Sequence, residues 1–396
     1  MKIIIGVHEL ANNVFSMHKA LKKHGYDIES VVLKNQVKNH KFYSSNSYDH
    51  ELETSSLFQT NKLLNKVAII LTKTLFFIKS LFKYDVFVYI TDVTLLPLHM
   101  DWPILNLLNK RIIIFNCGSE VRQRQVQYMI DSNVYNFELF DGDTEQLKLY
   151  YQKGRSFQQT LRTQAWEEMF CDDIVSIRNQ STFQNKPCYV FKFPVEEIRN
   201  KVKLPNKIPL IIHAPSDRIF KGTKYVLEAI EMLKSSGATF HFELIENKPN
   251  DYVLERLNEA DILIDQPGSW VARLAIEAMA ASCATIGGNM QEYIDFEAPS
   301  PVIQFETDSK KLYEKLNKLV SDIDYRKQKM SECYDFWKDH YSEEAYSNFF
   351  RKILDKTAHQ YQPIKNNRNL LLNFSETKWQ RIAIKLLIKK RSSYKK

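Results

Sequence analysis

The sequence predicts an α/β protein of two domains, each a parallel sheet covered by helices. Three observations carry this. Short apolar runs alternate with longer helical stretches along the chain, the pattern of βα units. A stretch rich in lysine and proline, Glu196 to Pro209, interrupts the alternation and divides it into two sets. At 396 residues the chain is longer than one hydrophobic core usually supports. The divisions read as an N-terminal domain over 1–200, a second domain over 201–342, a closing helix over 343–361 and a basic amphipathic tail over 362–396.

Strands are expected in order at Lys2–Ile5, Ile28–Leu33, Val86–Ile90, Arg111–Phe115, Ile174–Ser176 and Tyr189–Phe191. After the linker they are expected at Leu210–His213, Phe240–Leu244, Ile262–Ile264, Ala284–Gly287 and Val302–Gln304. These are runs rich in β-branched or aromatic residues, short enough for strands. Helices fill the gaps, among them Ala11–His24, Tyr225–Leu233, Ser309–Ile323 and Glu343–Asp355. No internal repeat of 20 to 50 residues is present.

Composition is that of an ordinary globular protein, 44% hydrophobic and 26% charged. The N-terminus reads as a first strand, too short in its apolar run for a secretory signal. Five scattered cysteines (Cys117, Cys171, Cys188, Cys283, Cys333) form no C-x-x-C pair, which suits free thiols in a reducing cytoplasm. No His/Cys cluster has zinc spacing and no Asp-x-Asp pair of the metal-using kind is read, so no metal and no cofactor are expected. The net charge of +8 favours acidic partners, but no nucleic-acid recognition motif accompanies it.

The richest segment is ADILIDQPGSWVARLAIEAMAASCATIGG, Ala260 to Gly288. A strand ends in Asp265-Gln266, a Pro267-Gly268-Ser269 turn follows, and then a helix carries Glu277. In a parallel sheet, ligands bind beyond the carboxyl ends of the strands, where helix N-termini favour phosphate. Glu277, about two turns into that helix, suits a ribose hydroxyl. A second loop, His213-Ala-Pro-Ser-Asp-Arg-Ile-Phe-Lys-Gly-Thr223, follows the Leu210–His213 strand. Its two cations, Arg218 and Lys221, suit a diphosphate leaving group, or are ordinary surface charges.

These motifs resemble the donor half of GT-B fold glycosyltransferases, family 4 and its relatives. That family carries an E-x7-E pattern before EAMA-G. Glu277 matches the second Glu, and Ser269 stands at the first. The IDQ-x3-W form resembles a bacterial surface-polysaccharide subgroup. The resemblance implies the GT-B fold, two Rossmann-like domains with parallel sheets facing a central cleft, and a final helix crossing back to the N-terminal domain. It implies diphosphate contacts from Arg218 and Lys221. It places Ser216, Gly222, Glu246, Gln266, Gly268, Ser269, Trp270, Val271 and Glu277 around the donor. The N-terminal half resembles the acceptor domain: Gly118-Ser119-Glu120 and Arg122 match a family segment, with Cys117 where the family has His. The family's His residues are also absent after the Val86–Ile90 strand, which ends in Thr91-Asp92. Asp92 and Glu120 are the candidate acceptor-side carboxylates, each also readable as a loop or cap residue. Asn12 and Asn13, in the first loop, suit helix caps or ligand contacts. Family 4 enzymes retain anomeric configuration, so no dedicated base is implied.

Two segments bear on membranes. Lys62 to Lys83 is heavily apolar with five lysines spread through it, which suits either an interfacial helix or a packed one. In the tail, Trp379, Ile382, Ala383, Leu386 and Leu387 recur at helical spacing among basic residues, suiting a membrane-surface helix or a solvated end. The expected function is transfer of a sugar from a nucleotide-diphosphate sugar to a glycan or lipid-linked acceptor in cell-surface polysaccharide synthesis, such as capsule or lipopolysaccharide. The expected location is the cytoplasm, peripheral at an anionic membrane surface. The rival reading is a non-catalytic GT-B-like partner in a glycan assembly complex. A nicotinamide enzyme is disfavoured, because no G-x-G-x-x-G follows the first strand.

Overall fold

A computed structural model of the chain describes residues 1–33, 46–52, 62–118, 120–121, 155–177, 184, 186–199, 201–268, 271–289 and 299–361. The described strands form two sheets. The first holds β1 (Ile3–Val7), β2 (Ile28–Leu33), β3 (His50–Leu52), β4 (Val86–Ile90), β5 (Arg111–Asn116), β6 (Asp173–Ser176), β7 (Cys188–Val190) and β13 (Gln360–Tyr361). Its order is β13-β7-β6-β5-β4-β1-β2-β3, parallel throughout except for β13 against β7. The second holds β8 (Leu210–His213), β9 (His241–Leu244), β10 (Ile262–Ile264), β11 (Ala284–Gly287) and β12 (Ile303–Gln304). Its order is β12-β11-β10-β8-β9, all parallel. Each is a doubly wound sheet with a switch in strand order, at β1/β4 and at β8/β10. Such switch points open a crevice for ligands.

The central strands are buried on both faces, so they read as continuous apolar runs: IIIGV in β1, VFVYI in β4, ILI in β10. Helices cover both faces. In the first half these are α1 (Asn13–Lys23), α2 (Lys62–Lys83), α3 (Asp101–Leu107) and α4 (Phe157–Phe170). The second half has α5 (Thr223–Ser235), α6 (Asn250–Glu259), α7 (Arg273–Ala280), α8 (Ser309–Ser321) and α9 (Ile323–His340). The expected single helix from Ser309 to Ile323 is two helices. Asp322 breaks it and caps α9, its side chain accepting from the Tyr325 N–H.

The last described helix, α10 (Glu343–Leu354), packs on α1: Lys23 pairs with Glu343, and the Tyr26 and Phe350 rings meet edge to face. At its end Arg111 donates to the carbonyls of Ile353 and Leu354. The chain thus returns from the second sheet to the first and adds β13 at its edge.

Helix α2 carries two opposed apolar faces. Phe77 is buried in the core with Phe87, Leu95 and Trp102. On the other side Leu64, Val67, Leu71, Leu75, Ile78 and Phe82 are exposed at steps of three and four residues, a single stripe. Phe82 is 88% exposed. No described helix is long and apolar enough to cross a membrane. The tail, 362–396, lies outside the described residues.

Candidate functional site

The site is built where the loops after β8 and β10 meet, at the switch of the second sheet. Gly222, at the N-cap of α5, has φ 62°. An added Cβ there would lie 3.1 Å from Phe305 and 3.2 Å from the Pro267 ring, so glycine lets the two loops touch. His213 ties them together. Its Nδ1 lies 2.8 Å from the Ile264 carbonyl and its Nε2 2.9 Å from Thr223 Oγ1. The carbonyl can only accept, so Nδ1 donates and Nε2 accepts a hydrogen bond from the Thr223 hydroxyl. Burial pushes its pKa down to about 4, which keeps the ring neutral and structural.

Lys221 and Asp265 face each other across this switch, Nζ to Oδ1 at 2.5 Å. Both are sheltered, with side-chain exposures of 12% and 1%. The other Asp265 oxygen is buried without a hydrogen-bond partner. Arg218, on the same loop, points elsewhere. It forms a forked, exposed pair with Glu246 at 2.7 and 2.6 Å. The two cations expected to act together are therefore held apart by different carboxylates. Lys221 is the sheltered one, and Arg218 can exchange Glu246 for a ligand at little cost, since solvent screens exposed pairs. Ser216 is exposed on this loop, Gln266 and Val271 are half-buried, and the Gly268 carbonyl accepts from Gln304 Nε2 at 3.1 Å. Ser269 and Trp270 lie outside the described residues.

Glu277 is not two turns into its helix. The helix begins only at Arg273, and Glu277 is its fifth residue, one turn in and 4% exposed. Burial pushes its carboxyl up to about 7, with Arg273 and Lys221 opposing the rise and Asp265 adding to it. It lines a cavity of about 230 Å³ between the two halves, which also receives Asn12, Ser16 and Lys19 from the first half and Arg273 from the second.

On the N-terminal side the expected carboxylates are buried and engaged. Arg155 grips Asp92 through both carboxylate oxygens, Nη2 to Oδ1 at 2.8 Å, and His99 lies 3.5 Å away. Burial raises its pKa, but His99 and Arg155 outweigh that and hold it well below the usual carboxylate range; the Thr163 hydroxyl also donates to it at 3.3 Å. Histidines do stand here: His99, later in the segment that follows the same strand, lies beside Asp92, and His8, from the loop after β1, lies 3.2 Å from Thr91. Glu120 turns back on its own loop and accepts from the Cys117 and Gly118 N–H groups. Its second oxygen is buried and unpartnered, and burial raises its pKa. Ser119 and Arg122 lie outside the described residues. Burial pushes the Cys117 thiol far up, which makes it a poor nucleophile. Asn12 occupies the α1 N-cap position but makes no side-chain cap; Glu9 does that work, accepting from Val14 and Phe15 N–H. Among the described residues no group of three or more His, Cys, Asp or Glu side chains is placed to hold a metal ion.

Glu167, fully buried beneath this cluster, is pushed by burial up to about 8. Its folded pKa exceeds its unfolded one, so the stability it contributes is complete below about 4.5 and is lost as pH rises through about 8. Glu167→Gln is expected to leave stability nearly unchanged at pH 5. It should raise it at pH 8.5, at about 1.4 kcal/mol for each unit of relieved shift. Thermal melts across pH test this; a variant less stable at both ends contradicts it.

Asp265, Arg273 and Glu9 were given no role from sequence alone. A cation at the first position of a helix, where the dipole disfavours it, was the available signal for Arg273.

No protein-family profile matches this chain, and no curated protein matches its sequence. Solved structures do match its shape. An alpha-glucosyltransferase in complex with UDP-glucose and DNA containing an abasic site shares 12% identity, covering 91% of this chain and 99% of its own, at a TM-score of 0.54. A glycosyltransferase from Rickettsia africae shares 14% over 90% and 98%, at 0.53. A protein assigned as a UDP-N-acetylglucosamine 2-epimerase, from Listeria monocytogenes, shares 11% over 92% and 100%, at 0.50. At these identities the likeness concerns the fold. The chain has the GT-B fold, two parallel α/β sheets with a cavity between their halves.

Proposed function

We propose that the chain is a glycosyltransferase that takes a sugar from a nucleotide-diphosphate donor. The observation that carries this is the Lys221–Asp265 pair at the strand-order switch, whose charges act on Glu277, a residue on the wall of the inter-half cavity. Residues 1–200 would hold the acceptor and 201–342 the donor. Lys221, with Arg218 released from Glu246, would meet the charge that develops on the diphosphate as the glycosidic bond breaks. Glu277, once ionised, would accept ribose hydroxyls. A leaving phosphate oxygen that takes the acceptor proton would need no separate base, which agrees with Asp92 and Glu120 being engaged elsewhere and favours retention. Cations and a helix end would do the phosphate work without a metal. The likeness to an alpha-glucosyltransferase seen with UDP-glucose supports a nucleotide-sugar donor.

The acceptor we propose is a glycan or lipid-linked intermediate of cell-surface polysaccharide synthesis, reached at an anionic membrane. The exposed stripe of α2 supports this, with Lys66, Lys79 and Lys83 exposed on the same helix. The protein is expected to pellet with phosphatidylglycerol-containing vesicles and much less with neutral ones. Each lysine near such a surface contributes about 1 kcal/mol, and high salt screens that part. Leu71→Glu with Leu75→Glu should weaken pelleting and leave the melting temperature unchanged, as for exposed positions generally. Equal binding to both vesicle types, or to neither, contradicts the membrane assignment.

The transfer itself is tested with a labelled sugar nucleotide supplied with lipid extract, soluble glycan or duplex DNA. Label entering lipid or glycan, with release of the nucleoside diphosphate, is the expected result. Label in DNA overturns the acceptor assignment. Donor binding without turnover on any acceptor favours the non-catalytic partner.

A further inference from the structure

The residue that joins the two halves at the cavity is Arg273. It occupies the first position of α7, where aligned backbone dipoles oppose a cation, and the N-cap Ala272 offers no side-chain cap. Nothing in its own helix explains it. Its partners are across the cleft. One terminal nitrogen donates to Asn13 Oδ1 at 2.8 Å and to Ser16 Oγ at 3.3 Å, both on the first turn of α1. The guanidinium lies 4.4 Å from the centre of the Phe193 ring, in the segment that follows β7. An arginine is suited to this, since one planar group can stack and donate at once. The contacts continue on both sides. Glu277 is one turn along α7, close enough for the Arg273 charge to act on it. Asn13 passes its own Nδ2 to Cys117 Sγ at 3.6 Å, and the Cys117 N–H is held by Glu120. An unbroken set of side chains thus runs from the donor helix to the acceptor-side loop.

We propose that Arg273 is a positioning residue, a latch that holds the two halves together across the cleft and couples the donor helix to the acceptor loop through Asn13. The coupling half of this rests on the transferase reading; the latch does not. Other charged groups on the cavity wall are Lys19, Glu196, Glu197, Asp251 and Glu343; Lys19 pairs with Glu196, and Glu343 with Lys23.

The test uses the full chain with spin labels at exposed Leu107 and Met232, one in each half. Pulsed dipolar distances need no substrate. Arg273→Met and Asn13→Ala should each lengthen or broaden the distance distribution, and the double variant should go no further than the larger single effect, because both remove the same link. Arg273→Lys should fall between Arg273→Met and wild type. Unchanged distances in the single variants overturn the latch, and so do additive effects in the double. If Arg273→Met fails to fold, Asn13→Ala alone decides, since it leaves α7 intact. For the coupling, Asn13→Ala should lower kcat by roughly ten-fold or more, the effect of losing a hydrogen bond to a charged group. Donor affinity by calorimetry should stay the same, because Asn13 touches neither Glu277 nor Lys221. A fall in donor affinity with kcat unchanged overturns the coupling.

Discussion

Lys221→Ala is expected to lower sugar transfer by about 10²–10³-fold at saturating donor, the usual loss when a preorganised charge no longer meets charge developing in the transition state. The structure adds a complication that the motif alone did not show. Lys221 neutralises Asp265, whose side chain is 1% exposed, and removing one partner of a buried pair costs about 3–5 kcal/mol. The single variant should therefore also melt early. Lys221→Ala with Asp265→Asn separates the two effects: stability should return and transfer should not. Arg218→Ala, which removes an exposed side chain from a half-buried Glu246, should lose transfer with little change in melting temperature. Near wild-type turnover in both the double variant and Arg218→Ala would remove the diphosphate assignment.

The second large effect is at Glu277. Glu277→Gln should weaken donor binding roughly ten-fold or more, as charged hydrogen bonds contribute about 1.5–3 kcal/mol. Its carboxyl is pushed up to about 7 by burial, so only part of it is ionised at neutral pH. Donor affinity of the wild type should therefore rise as pH increases through about 7, and the Gln variant should show no such rise. Stability runs the other way. The folded pKa is raised, so the stability contributed is complete below about 4.5 and lost as pH passes about 7, and Glu277→Gln should melt higher than wild type at pH 8. The alternative, that Glu277 only serves its helix dipole, is weakened by its place as the fifth residue, since that interaction fades beyond the first turn. Calorimetric titration between pH 6 and 8.5 decides: equal affinity and equal pH dependence in both proteins would sink the ribose role.

The parts of the fold that read clearly from sequence are those where burial on both faces forces a continuous apolar run. Strands β4 and β10 lie at the expected residues for that reason, and β2, β8 and β11 also lie where expected although polar residues interrupt their runs. Strands β3 and β13 were not legible. They are three and two residues long, HEL and QY, and exist because a neighbouring strand edge is there to pair with. The same division holds at the site. Lys221 and Glu277 stand in local motifs after strands. Their settings do not, because the partners come from far along the chain: Asp265 for Lys221 is 44 residues away, Arg155 for Asp92 is 63, and Asn13 for Arg273 is 260. The motif around Glu277 did not show that its carboxylate is buried. No local pattern announces that a helix will start late and place its fifth residue inside a cleft. Exposure of one whole face of α2 was likewise undecided in the sequence, where a packed and an interfacial helix look alike. Packing of Phe77 beneath it and exposure of Phe82 show that the helix is apolar on both sides.

Calorimetric titration of the wild-type chain with a panel of nucleotide-diphosphate sugars, repeated on the Lys221→Ala/Asp265→Asn protein, tests the central claim most directly. The account predicts that at least one donor binds the wild type, and that its affinity falls sharply in the variant although the variant melts normally. Absence of binding by every donor, or binding that is indifferent to the loss of Lys221, would contradict it.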